Sequence, residues 1–348
     1  MEEFDRIRQH YREFWAMENE TPILLLRGDK GKPSRLTQPD SVERCWLDTE
    51  YVVARERESI ENTAFFGDAF PLANPNLGPD IFGATFGTDL IFEKETSYSV
   101  PIIDDSWSQE LRFSEENKWW KKILEITGAM VDDSRGDYLV GVTDLHAGAD
   151  GLVSLRGPEK LCYDVFDQPE VFEKTKTVLL PAFQRQFEEL FRITQKYQTG
   201  TANWMSLYNE KPWYVTSSDF ICMVSEDHFE ELILPEIIEE ARYLNGQTIF
   251  HLDGPGALRH LDRLLEVPEI HGIQWVYGAG QPSACHWMPV LKKIQAAGKA
   301  INILLEPEDI EPIFTELKPQ GLSCSFNFWL SEEDAGDLCR KIQGYYKA

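Results

Sequence analysis

A buried histidine two residues from a carboxylate can move a proton or hold a ligand, and the stretch Gln247-Thr-Ile-Phe-His-Leu-Asp-Gly-Pro-Gly256 carries such a pair. Thr248 to Leu252 is β-branched and apolar, as a buried strand requires, and Gly254-Pro255-Gly256 ends it abruptly. Strand side chains alternate faces, so His251 and Asp253 point the same way at the strand's last residues. A helical pattern, Ala257 to Leu265, follows the turn. The pair reads either as an oriented acid/base couple or as a histidine satisfied by its neighbouring aspartate.

The same layout recurs along the chain. Strand-like runs alternate with amphipathic helical patterns for about eight cycles, with no linker-like break in composition, which is the pattern of a (β/α)8 barrel. The runs leave through polar groups: Arg27, Asp68, Asp144 or His146, Asp219, His251 with Asp253, Gln274 or Trp275, Glu306, and Cys324. In a closed parallel barrel these exits converge on one face. The expectation is therefore a single α/β TIM-barrel domain over residues 1–348, with an N-terminal helical extension at 2–19 carrying Phe4, Ile7, Tyr11, Phe14 and Trp15 on one side. A doubly wound open sheet is the alternative, but no Gly-x-Gly-x-x-Gly turn follows a strand. Asp68 sits at the base of a long loop dense in Pro, Gly and Asn, and Thr88 to Tyr98 reads as an extended excursion or hairpin.

Composition narrows the partners. A formal charge of −25 argues against nucleic acid or an anionic membrane as the principal partner. No apolar run approaches the ~20 residues of a membrane helix, and the chain opens Met-Glu-Glu-Phe-Asp, unlike a signal peptide. Six scattered cysteines without Cys-x-x-Cys spacing suit a reducing cytoplasm.

Several segments are similar to the uroporphyrinogen decarboxylase superfamily, which includes the decarboxylase and the methyltransferases that serve corrinoid proteins. The resemblance is carried by Ser218-Asp219-Phe-Ile through Pro235, by His251-Leu-Asp253-Gly254, and by Ile273-Gln-Trp-Val-Tyr-Gly278-Ala-Gly280. Leu155-Arg156-Gly157-Pro158 and Gly321-Leu-Ser-Cys324 extend it over nearly the whole chain, as an uncharacterised branch. The decarboxylase's arginine-rich N-terminal motif has here only Arg27, in Pro22-Ile-Leu-Leu-Leu-Arg27-Gly-Asp29, which disfavours an octacarboxylate substrate. In the methyltransferase branch a zinc site is built from His-x-Cys and a late Cys. His251 matches the His, Asp253 stands in place of the first Cys, and Cys324 stands near the second. A His, Asp, Cys set is adequate for zinc or another divalent ion.

The resemblance implies an enzyme: metal-assisted methyl transfer between a corrinoid carried by a partner protein and a small methylated substrate or thiol, a divalent ion, zinc in the first instance, being held by His251, Asp253 and Cys324. Asp219 would orient the ligands or shuttle a proton. The alternative is a metal-free decarboxylase or lyase, with Asp68 or Asp219 handling the proton and Arg27 or Arg156 holding a carboxylate. A non-catalytic ligand-binding barrel is the third. Tyr98, Trp204, Trp275 and Tyr277 are candidate pocket walls, each with core packing as the competing role, and His146 and Glu306 complete the candidate contacts. A homodimer is expected.

Overall fold

The chain, described over residues 2–346 by a computed structural model, places apolar β-branched runs in a parallel sheet and amphipathic segments in helices around it. In chain order the strands are β1 (Ile23–Asp29), β2 (Thr63–Gly67), β3 (Leu72–Ala73), the hairpin β4 (Asp89–Phe92) and β5 (Ser97–Val100), then β6 (Leu139–Val140). They continue with β7 (Thr201–Ala202), β8 (Tyr208–Asn209), β9 (Tyr214–Ser217), β10 (Thr248–Asp253), β11 (Gly272–Val276), β12 (Ala300–Leu305) and β13 (Leu322–Phe326). Strands β1, β13, β12, β11, β10 and β9 lie side by side in parallel, and β2 is added antiparallel outside β1.

A second parallel pair, β3 with β6, runs on through a single parallel bridge from Val142 to Asn203. The result is a mixed α/β architecture consistent with a TIM-barrel-like fold. Continuous closure is not detected: ladder bonds join the β3–β6 pair to neither edge of the larger sheet. On one side a side chain spans the interval: the Trp213 indole, just before β9, donates to the Thr201 carbonyl of β7 at 2.9 Å.

The strands' inward positions differ between their two ends. Near their starts, Ile23, Leu25, Leu139, Val215, Ile249 and Ala300 form an apolar cluster with Tyr208 and Trp213. The N-terminal helix Glu2–Trp15 closes this end, burying Ile7, Tyr11 and Phe14 at helical spacing. Burial of such side chains supplies roughly 1.5–3 kcal/mol each. The opposite end, where the parallel strands finish, is polar.

This arrangement corrects the reading of Asp68. Because β2 runs against β1, with Gly67 opposite Leu25, the residue after β2 emerges beside the beginning of β1 and not beside its end. Asp68 is buried there, bonded to His10 Nδ1 at 2.9 Å and to the Leu24 N–H. It ties the N-terminal helix to the sheet and lies away from the strand ends that carry the polar groups.

Candidate active site

Five adjacent strands each place one polar side chain at the same level. Ser217, His251, Gln274, Asn302 and Ser323 are successive register partners across β9, β10, β11, β12 and β13. His251 Nδ1 is hydrogen-bonded to Gln274 Oε1, Gln274 Nε2 donates to Asn302 Oδ1 at 2.9 Å, and Asn302 Nδ2 donates to Ser323 Oγ at 3.0 Å. These residues sit above the apolar plug and form the floor of the polar end.

One step further along the chain stands the acidic pair. Asp253, the last residue of β10, shares His251's face, as strand alternation demands. Asp219 opens the turn after β9, its Oδ1 4.0 Å from His251 Nε2. One ligand atom from each of Asp219, His251 and Asp253 lies within 4.8 Å of the others. Asp253 Oδ1 is buried and has no hydrogen-bond partner among the described residues. A buried carboxylate oxygen left unpaired is costly, and a cation satisfies it directly. Gly254 makes the exit possible: its φ of +76° turns the chain in a conformation costly for other residues, and its N–H is bonded to Val276 O at 2.9 Å.

Of the triad, Asp253 lines a cavity of about 690 Å³. Its walls include Asp253, Gln274, Asn302, Arg27, Trp204 and Tyr277, with Glu306 at the rim. Trp204 packs edge-on against His251, ring centres 5.4 Å apart. The Arg27 guanidinium donates to Ser206 Oγ at 3.0 Å and has no carboxylate partner among the described residues. Glu306 accepts a bond from the Asn327 amide at 2.7 Å and also starts the following helical turn in a reciprocal cap with Asp309. A depression of about 730 Å³ at the opposite end, beside Phe70 and Leu139, has none of the converging strand-end groups.

A second charged cluster adjoins the triad. His146 Nε2 is 2.7 Å from Asp144 Oδ1, and its Nδ1 is bonded to Ser217 Oγ. Burial alone lowers the imidazole's pKa, but Asp144 and Asp150 outweigh it and hold the pKa well above the ordinary value. Asp150 also accepts the backbone N–H groups of Asp219 at 2.9 Å and Phe220 at 3.1 Å, which fixes the turn that presents Asp219. Restricted solvation at the rim and the nearby Asp150 charge raise the Asp219 carboxyl, against the pull of His251. Behind this cluster, burial pushes Glu240 up to about 8 and raises Glu236 as well.

The remaining expected contacts separate into those the fold gathers and those it does not. Asp253, Arg27, Trp204, Tyr277 and Glu306 line the cavity, Asp219 and His251 cluster with Asp253 beside it, and His146 stacks near Trp204. Cys324 does not. Ser323 and Ser325 face inward, so alternation turns Cys324 to the helix side, where it is fully buried in the core and its thiol pKa is raised by burial. Arg156 is also elsewhere, buried in a fork with Asp164 (2.7 and 3.1 Å) and bonded to Asp105 at 2.9 Å. Tyr98 stands on the exposed face of the β4–β5 hairpin, opposite Ile91. Trp275 runs past the cavity, but its ring is buried against Trp287, centroids 5.2 Å apart.

Asn302, Ser323, Ser217 and Asp150 were not anticipated. The signal for the first three was present: an inward polar residue within each of the short strand runs Ala300–Leu305, Leu322–Phe326 and Tyr214–Ser217, aligned only once the strand register is known.

No protein-family model and no curated protein matches the chain. Among solved structures, a methyltransferase from Methanosarcina mazei superposes with a TM-score of 0.58 at 11% sequence identity, over 92% of this chain and 96% of that one. At that identity the likeness establishes a shared fold.

Proposed function

We propose that the cavity is the active site of a methyltransferase in which Asp219, His251 and Asp253 hold a divalent cation. The observation that carries this reading is the buried, unpartnered Asp253 Oδ1 beside His251 and Asp219. An imidazole and two carboxylates suit zinc and, lacking sulfur, also manganese or iron. The set differs from His251, Asp253 and Cys324 by exchanging a buried thiol for Asp219.

When bound, such a cation lowers the pKa of a coordinated thiol or water, or polarises a leaving heteroatom. The chain's own groups do the rest. Gln274 orients His251, Asp150 fixes the turn bearing Asp219, Trp204 shields the imidazole from water, and Arg27 with Ser206 supplies an anchor for an anionic part of a small substrate. The fold shared with a methyltransferase supports methyl transfer. A corrinoid on a partner protein is our proposal for the other methyl carrier.

The test is metal content of the purified protein beside His251→Ala and Asp253→Asn, followed by methyl transfer from a small methylated donor to a corrinoid protein. Near-stoichiometric metal lost in both variants supports the reading. Its absence after zinc, manganese and iron(II) are each offered removes it.

A second reading rests on His146, held 2.7 Å from Asp144 Oδ1 with its pKa raised by Asp144 and Asp150, near the triad: metal-free proton transfer on a small carboxylate, with Arg27 as its anion anchor. Full activity in metal-free protein, abolished in Asp219→Asn, would select it.

A further inference from the structure

The polar row across the strands has a direction. Ser323 Oγ donates to the Ile301 carbonyl at 3.0 Å, an acceptor with no proton to return. The hydroxyl oxygen therefore accepts from Asn302 Nδ2, which leaves Asn302 Oδ1 to accept from Gln274 Nε2. Gln274 then has only its carbonyl oxygen to offer His251 Nδ1, and that nitrogen must carry the hydrogen.

The reversed chain is chemically conceivable and physically poorer. Ser323 would donate to Asn302, both amides would turn over, and the imidazole hydrogen would move to Nε2. That N–H would face Asp219 across 4.0 Å, beyond hydrogen-bond reach. In the observed sense each member of the row donates to the acceptor of the next, and the imidazole lone pair at Nε2 is left facing the acidic pair.

We propose that Gln274, Asn302 and Ser323 are positioning residues, a one-way hydrogen-bond relay over four strands that holds neutral His251 as its Nδ1–H tautomer. Nε2 is thereby presented as a lone pair toward Asp219 and Asp253. A free imidazole interconverts between its tautomers, so in each molecule only the relay decides whether the site sees an acceptor or a donor. Asn302 and Ser323 are buried, and among the described residues their side chains are hydrogen-bonded only along the row and to the Ile301 carbonyl. The tautomer is a property of the metal-free protein, so it stands apart from whether methyl transfer occurs.

Long-range proton–nitrogen NMR of protein labelled with ¹⁵N-histidine reads the tautomer directly. The spectrum is taken without metal at a pH where His251 is neutral, and its signals are identified among the seven histidines by their loss in His251→Gln. The relay requires Nε2 in the unprotonated nitrogen range and Nδ1 in the protonated range. Gln274→Glu, whose carboxylate still accepts from Nδ1–H, keeps that pattern, while Gln274→Leu and Asn302→Leu shift both nitrogens toward the averaged values of a mixture. A wild-type spectrum with the hydrogen on Nε2, or with averaged shifts, overturns the proposal. So does an unchanged tautomer in folded Gln274→Leu and Asn302→Leu, folding being checked by amide shifts remote from the sheet.

Discussion

Asp219 Oδ1 and His251 Nε2 stand 4.0 Å apart at the mouth of the strands. The gap is too wide for a shared proton and within what two metal–ligand bonds of about 2.1 Å span. The buried, unpartnered oxygen of Asp253 is the third corner. Removing a corner separates the roles of the residues around it. His251→Ala and Asp253→Asn are expected to weaken metal binding at least 100-fold, measured by titration against a chromophoric chelator. Cys324→Ala, on the other face of its strand, is expected to leave metal affinity unchanged while lowering stability by about 1 kcal/mol through lost packing.

Asp68 yields the opposite pattern. It is buried, and it holds His10 and the Leu24 N–H at the far end of the sheet. Asp68→Ala leaves those groups without their acceptor and is expected to cost about 3 kcal/mol in urea unfolding. Metal affinity in the folded variant should match wild type; a large loss would place Asp68 in the site after all.

Arg156→Ala strands the Asp164 carboxylate in the core and should destabilise the fold by about 3–5 kcal/mol. Substituting both partners with apolar residues of similar size should recover much of the loss. A solvated arginine would show neither effect.

Two buried groups give stability opposite slopes with pH. Burial pushes Glu240 up to about 8 in the fold from an ordinary 4.5, so the native state holds a proton that the unfolded chain releases between those values. Its stabilising contribution is complete below 4.5 and is lost as pH rises toward 8. Burial, aided by Lys299, lowers His271 to about 4 from 6.5, so there the unfolded chain binds the extra proton, and stability falls as pH drops from 6.5 to 4. Glu240→Gln should flatten the alkaline decline in urea midpoint, and His271→Phe the acid one.

The central strand was legible because its evidence is local: six residues of β10, their alternation and the glycine turn all lie in one short run. The N-terminal helix was legible from the spacing of Ile7, Tyr11 and Phe14. Three assignments failed for lack of non-local information. The direction of β2 decides which end Asp68 occupies, and nothing within Thr63–Gly67 encodes it. The face of Cys324 depends on which of Leu322–Phe326 pairs inward, a parity set by the neighbouring strand. Arg156 reads as a free cation until Asp164 folds back on it two turns later. The polar row needed five registers at once.

The interrupted ladder divides the molecule mechanically. His251, Asp253, Gln274 and Asn302 belong to an arc of six parallel strands, whereas Trp204 and Ser206 belong to a wall built on two-residue pairings and one lone bridge. Amide hydrogen exchange should therefore be slow along β10 to β13 and much faster along β3, β6 and β7. The candidate site groups ride on the stiff half, and the cavity wall that can yield is on the other, so widening the cavity need not displace His251 or Asp253.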